Sequence, residues 1–267
     1  MRPNRLKQLW KEDKTVVNAW VTIPSSWTAE VLAHSGFDAM TIDAQHGLAS
    51  DHMTILTMLQ AISTTDTVPL VRVQWNDPAT HMKMLDMGAY GIICPMINTR
   101  EESESFVGAC RYVPHGYRSF GPVRASVYGG EGYFEKSTEE IVTMSMIETA
   151  EALKNVDDIA KTATMTGLYV GPWDLSISMR RPRQGDFDDI ELLKAFEKVL
   201  NACAKNNIIA GIQCPSPEAA IKMSEMGFRF VTAASDTTLL KHGAVDAVKR
   251  FNNKETSAPK NVSNPYA

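Results

Sequence analysis

Four short stretches of this 267-residue chain put ionisable side chains within or just after an apolar run. They are Asp43-Ala-Gln-His46, Arg72 inside Leu70-Val-Arg-Val73, Glu148 after Met146-Ile147, and Asp174 in Gly171-Pro-Trp-Asp174. Two carboxylates with no matching histidine or thiolate cluster suit a hard cation and oxygen ligands, Mg²⁺ or Mn²⁺, better than structural zinc. An arginine in an apolar strand costs roughly several kcal/mol to bury unless an anion meets it. Arg72 therefore implies an anionic ligand or an internal acid such as Asp43 or Asp86. Asp43 offers an orienting carboxylate for His46 as an acid/base imidazole, and the plainer reading is a half-buried histidine held by the same acid. Glu148 alone would equally cap a helix before Thr149-Ala-Glu151, and Asp174 one before Leu175-Ser-Ile-Ser. Together, on adjacent strands, they favour one site. His34, His52, His81, His115 and His242 fall on expected helices or loops and read as surface or packing residues.

These side chains need elements to hold them. Short β-branched or apolar runs alternate with polar turns and segments of helical periodicity, which means α/β. The strand candidates are residues 16–23, 39–43, 69–73, 91–95, 141–147, 167–170, 208–213 and 230–233. Helix starts stand at Ser26-Trp-Thr-Ala-Glu30, Asn76-Asp-Pro78, Thr99-Arg-Glu-Glu102 and Ser216-Pro-Glu218, and Gly36, Gly88 and Gly227 close helices before strands, suggesting one turn geometry used three times. Eight units in about 250 residues fit a (β/α)8 TIM barrel over residues 1–251, with a polar tail at residues 252–267. An open doubly wound sheet would be marked by GxGxxG after its first strand, which is absent. Gly129-Gly-Glu-Gly132 instead sits in a long stretch, residues 114–136, expected to be a flexible loop. In a closed parallel barrel the chemistry gathers at the C-terminal strand ends, where the four stretches fall.

A net charge of −4, spread along the chain, gives no basic footprint for nucleic acid or an anionic membrane. The residues before Lys14 lack the apolar run of a signal peptide, and no later stretch approaches a membrane span. Cys94, Cys110, Cys203 and Cys214 form no CxxC pair, so reduced thiols in the cytoplasm are expected.

Five segments together resemble the HpcH/HpaI aldolase family, the metal-dependent class II pyruvate aldolases. They are Phe37-Asp-Ala-Met-Thr-Ile-Asp43-Ala-Gln-His46, Val71-Arg72-Val-Gln-Trp-Asn-Asp77-Pro, Leu85-Asp86-Met-Gly-Ala-Tyr-Gly91-Ile-Ile-Cys-Pro95-Met, Met146-Ile-Glu148-Thr and Tyr169-Val-Gly171-Pro-Trp-Asp174-Leu-Ser176. The likeness runs from about Trp20 to Ala247. It implies a (β/α)8 barrel that reversibly cleaves 4-hydroxy-2-oxo acids into pyruvate, or hydroxypyruvate, and an aldehyde.

In such proteins Glu148 and Asp174 would bind the divalent metal (Mg²⁺, Mn²⁺ or Co²⁺), with no organic cofactor. Arg72 would face the keto oxygen, and the turn Gly171 to Asp174, Trp173 included, would meet the substrate carboxylate. His46, oriented by Asp43, would serve as acid/base, directly or through water. A homo-oligomer, trimer or hexamer, is implied, with Asp86 reaching a neighbour's site. Family members acting on long dicarboxylic substrates often carry Gln at the Met146 position and a small residue at the Trp173 position, so a modified pocket for small aldehydes or hydroxypyruvate is expected. Arg118 and Arg124 would supply a further anion contact or a subunit contact. Oxaloacetate decarboxylation, or a macrophomate synthase-like condensation, would use the same site. A Schiff-base aldolase is disfavoured because no lysine stands at an expected strand end. A non-enzymatic binding barrel would make the convergence of Arg72, His46, Glu148 and Asp174 incidental.

Overall fold

A computed structural model describes residues 1–253. Its eight strands are β1 (Val16–Val21), β2 (Ala39–Asp43), β3 (Val68–Arg72), β4 (Gly91–Cys94), β5 (Val142–Ile147), β6 (Gly167–Val170), β7 (Ile209–Gln213) and β8 (Phe230–Ser235). All pair in parallel and in order, and β1 meets β8 to close the barrel, with a register shift between Asn18 and Ala19 at the seam. Both strand faces are covered, which is why the strands read as nearly unbroken apolar runs rather than alternating ones. All eight expected strands are present, with ends displaced by two residues or fewer.

Helix α1 (Arg5–Lys11) closes the N-terminal end of the barrel: Leu6 is fully buried and Trp10 Nε1 donates to the Arg229 carbonyl at 2.8 Å. The outer layer then holds α2 (Ser26–Ala33), α3 (His52–Ile62), α4 (Pro78–Asp86), α5 (Arg100–Ala109), α6 (Val123–Gly129), α7 (Tyr133–Glu140), α8 (Ala150–Lys154), α9 (Val156–Ile159), α10 (Pro172–Ser178), α11 (Ile190–Asn206), α12 (Pro217–Met226) and α13 (Asp236–Asn252). Asp77 caps α4, Thr99 and Glu102 form a capping box on α5, and Ser216 caps α12, as their spacing implies. For α2 the cap is Ser25, one residue before the expected start. Gly36, Gly88 and Gly227 all have positive φ, at 93°, 96° and 123°, so the repeated helix-to-strand turn is a backbone requirement.

The expected long loop is two helices instead. α6 and α7 flank Gly130 and Gly132, both at positive φ, and tertiary contacts hold them. Arg124 donates to the Met87 carbonyl at 2.8 Å and to Ser63 Oγ at 3.0 Å, while Arg118 bonds Asp86 at 2.7 Å and Tyr133 Oη at 3.0 Å. These arginines tie segments leading into strands, at the end opposite the strand C-termini. They bond within their own chain, away from its own barrel's mouth.

α13 is unlike the other outer helices. Only its first residue, Asp236, is buried, and Leu240, Val245, Val248 and Phe251 are exposed. Asp236 ties the helix start to β1 by accepting from the Thr22 and Ile23 N–H groups at 2.8 and 2.7 Å. The expected tail begins inside α13, which runs through Asn252, and its remaining residues after 253 lie outside the described part.

Candidate active site

The C-terminal ends of the strands surround a cavity lined by Trp20, Arg72, Met146, Glu148, Tyr169, Gly171, Trp173, Asp174 and Gln213. Arg72 ends β3 and Asp43 ends the neighbouring β2, directly opposite in register. Arg72 Nε donates to Asp43 Oδ1 at 2.9 Å and Nη2 to Oδ2 at 2.6 Å, a two-point pairing that fixes the plane of the guanidinium. Trp20 Nε1 adds a bond to Asp43 Oδ2 at 3.1 Å, and the Trp20 ring lies under the guanidinium at 4.8 Å. Burial alone would raise the Asp43 pKa. The hydrogen bond and charge of Arg72 outweigh it, with help from the His46 N–H and Trp20, and hold the carboxyl below its ordinary value. Arg72 is therefore met by an internal acid, and it also lines the cavity.

The link between Asp43 and His46 differs from the expectation. Asp43 Oδ1 accepts from the main-chain N–H groups of Gln45 and His46 at 3.0 and 3.2 Å, so it shapes the turn rather than holding the imidazole. With Arg72 and Trp20 also bonded to it, its oxygens are already engaged. His46 itself is exposed at the mouth, and its ring is not among the residues lining the cavity.

Glu148 follows β5 and is 3% exposed. The capping alternative fails for both carboxylates. Thr149 caps α8, and Asp174 is the third residue of α10, whose N-cap is Gly171. Glu148 Oε1 accepts from the Met96 N–H at 2.7 Å, which the positive φ of Met96, 57°, turns toward it. Its Oε2 would lie 2.8 Å from a Cβ at position 171, so only glycine lets the end of β6 come this close. Desolvation pushes the Glu148 pKa up to about 7, and the nearby Asp174 charge adds to it against the Met96 N–H and Arg72.

This donor set fits a hard divalent cation: a desolvated carboxylate short of compensating charge, a second solvent-facing carboxylate from the adjoining strand end, and a side-chain-free wall at Gly171. Among the described residues no group of three or more His, Cys, Asp or Glu is placed to hold a metal, so further ligands would come from substrate and water.

Ionisable residue types did not reveal Trp20, Tyr169, Gln213 or the Met96 N–H. A tryptophan in the interior of β1 was the available signal for Trp20. Asp86 ends α4, far from its own barrel's mouth and bonded to Arg118. His81 is fully buried, with Nε2 3.0 Å from Asn76 Oδ1, in agreement with a packing role.

A closed parallel barrel with a carboxylate pair and a clamped arginine at its C-terminal mouth defines a (β/α)8 enzyme acting on a small anion. The family model for HpcH/HpaI aldolase/citrate lyase matches residues 17–243, and the chain belongs to that family. It is 39% identical over 242 residues to a hydroxypyruvate/pyruvate aldolase of Rhizorhabdus wittichii, covering 90% of this chain and 96% of that one. A 4-hydroxy-2-oxo-heptane-1,7-dioate aldolase of Klebsiella pneumoniae is 34% identical over 98% of this chain and 99% of its own. A solved HpcH/HpaI aldolase/citrate lyase family protein from Burkholderia cenocepacia superposes with a TM-score of 0.86 at 28% identity, covering 93% of this chain and 99% of that one. The chain is a carbon–carbon lyase of the aldolase kind.

Proposed function

We propose that this enzyme reversibly cleaves 4-hydroxy-2-oxo acids to pyruvate or hydroxypyruvate and an aldehyde. The supporting observation is the meeting of Glu148, Asp174 and the Asp43-clamped Arg72 in one cavity at the strand C-termini. A divalent metal (Mg²⁺, Mn²⁺ or Co²⁺) held by Glu148 and Asp174 would act as a Lewis acid toward the 2-oxo acid. Arg72, immobilised by Asp43, would aim its guanidinium at the keto oxygen, where negative charge grows as the C3–C4 bond breaks. The first-turn N–H groups of Trp173 and Asp174, beside Gly171, have no intrahelical partner and suit the substrate carboxylate. Trp173 narrows the mouth toward small substrates. His46 would exchange the proton of the C4 hydroxyl, itself or through water. An adjoining cavity, which shares Trp173 and Gln213 and reaches Ser216 and His242, is room for the aldehyde.

The exposed apolar residues of α13 support a homo-oligomer, trimer or hexamer, in which Asp86 would act at a neighbour's mouth. One barrel domain over residues 1–251 accounts for the site. No described helix is long and apolar enough to cross a membrane, and the four cysteines are buried free thiols, which supports a cytoplasmic enzyme. Assay of 4-hydroxy-2-oxo acid cleavage after chelation tests the reading. Activity should vanish and return with divalent metal, and Asp174→Ala should bind metal at least about tenfold more weakly. Full activity in chelated protein would reject it, and release of CO₂ from oxaloacetate without aldehyde turnover would favour a decarboxylase.

A further inference from the structure

A row of buried polar side chains crosses the interior of the barrel and ends in the cavity. Thr41 Oγ1 donates to Asn18 Oδ1 at 3.0 Å, and Asn18 Nδ2 donates to Thr232 Oγ1 at 2.8 Å. Thr232 Oγ1 stands 2.7 Å from Tyr169 Oη, and Tyr169 Oη donates to Gln213 Oε1 at 2.9 Å. Thr41, Asn18, Thr232 and Tyr169 are all fully buried, in a region otherwise packed with apolar side chains. Closing the barrel does not require this row, and apolar side chains of similar shape would fill the same space at little or no loss of stability.

The row has a direction. Tyr169 has one hydroxyl proton, and it goes to Gln213 Oε1, so Thr232 must donate to Tyr169 while accepting from Asn18. Every link then donates toward the cavity. Gln213 is the last residue of β7 and is half-buried, with its carbonyl oxygen taken by Tyr169. Among the described residues its Nε2 makes no hydrogen bond, and Gln213 lines the cavity that Glu148 and Asp174 also line.

We infer that Gln213 is a specificity-determining residue whose amide N–H donates to a hydroxyl oxygen on C3 of the donor, so that the site reads hydroxypyruvate over pyruvate. The inference rests on the aldolase reading above. With the substrate carboxylate at the turn after β6 and the keto oxygen toward Arg72 on β3, C3 would face the part of the cavity that Gln213 lines. A methyl group there gives the amide no acceptor, and a 3-hydroxyl supplies one. Tyr169 is a positioning residue, because its hydroxyl stops the amide from turning over.

The test is C3 proton exchange in D₂O, followed by NMR with each donor alone, in the metal-loaded enzyme and in Gln213→Met. Binding of each donor is measured alongside by calorimetry. The ratio of hydroxypyruvate to pyruvate exchange rates should fall about fivefold to tenfold in the variant, as loss of one neutral hydrogen bond implies, and the affinity ratio should fall with it. Tyr169→Phe, which keeps the amide but frees its rotation, should lower the same ratio by a smaller factor and serves if Gln213→Met does not fold. A purely structural role would slow both donors alike, and an unchanged ratio overturns the assignment. A change confined to aldehyde preference also overturns it, by moving Gln213 to the acceptor side. Wild-type enzyme that exchanges neither donor overturns the aldolase reading itself.

Discussion

Both ends of the barrel bury charge, and they use it differently. At the N-terminal end Arg111 is 1% exposed and donates to the Ile141 and Thr164 carbonyls and to Thr143 Oγ1 at 2.9–3.1 Å. Burial lowers its pKa to about 10. Arg118 and Arg124 likewise bond to Asp86, Tyr133, Met87 and Ser63, so each ties two or more segments together. At the C-terminal end Arg72 also has an internal acid, but it faces a cavity, and among the described residues no donor bonds Glu148 Oε2. A buried charge is therefore not by itself the mark of a site. Bonding capacity that the fold leaves unused, facing space a ligand can enter, is the better mark.

Replacing one arginine at each end is the sharpest way to break this contrast. Arg72→Ala should lower kcat/KM for aldol cleavage about 10²- to 10³-fold, because charge aimed at the developing oxyanion is lost. It also leaves Asp43, 2% exposed, without its cation. Arg111→Ala should lower stability by ~2–4 kcal/mol, because the Ile141 and Thr164 carbonyls and Thr143 Oγ1 lose their buried donor, while the folded fraction keeps its turnover. Steady-state kinetics and urea unfolding on both variants check this. Equal losses of turnover per folded molecule would erase the distinction between the ends.

A second test concerns a group enclosed by the fold and bearing on stability alone. His81, on α4, is fully buried, and desolvation lowers its pKa from 6.5 to about 4 against a small opposing pull from Asp77. The unfolded chain therefore takes up the proton first as pH falls. Stability should be fully present above about pH 6.5 and should decline as pH drops toward 4, by up to ~3 kcal/mol from this group. His81→Gln should remove that part of the decline. Urea midpoints at pH 7.0 and 4.5 for both proteins measure it, and identical pH slopes would show that His81 is not kept neutral.

Much of this contrast was legible in the residues. Buried parallel strands announce themselves as apolar runs, and Glu148 and Asp174, each of which alone could cap a helix, stand out because they fall together at the ends of adjacent strands. The helices α6 and α7 were hidden, because Gly129-Gly-Glu-Gly132 imitates a loop and the contacts that hold them, through Arg124, come from residues distant in sequence. Trp20, Tyr169 and Gln213 were hidden for another reason: barrel closure brings β1, β6 and β7 to one cavity, and nothing local marks which faces meet. The spacing of Asp43 and His46 suggests a carboxylate that holds the imidazole, but a three-residue step suits a main-chain N–H as well as a ring. Only coordinates separate the two.

The smallest effect compares two glycines in the same kind of turn. Gly36 and Gly88 have nearly equal φ, 93° and 96°, so alanine at either position suffers similar backbone strain, ~1–2 kcal/mol. A Cβ at position 36 would meet nothing within 4 Å, whereas one at position 88 would overlap the Arg124 guanidinium. That guanidinium is bonded to the Met87 carbonyl next in the chain, so it has little freedom to retreat. Gly88→Ala should therefore lose ~1 kcal/mol more than Gly36→Ala in denaturant unfolding, with turnover per folded molecule unchanged in both. The difference between the two variants measures how firmly Arg124 holds the N-terminal end, since the strain common to both cancels. Equal losses would mean that the arginine swings aside, and that this end of the barrel is looser than its bonds imply.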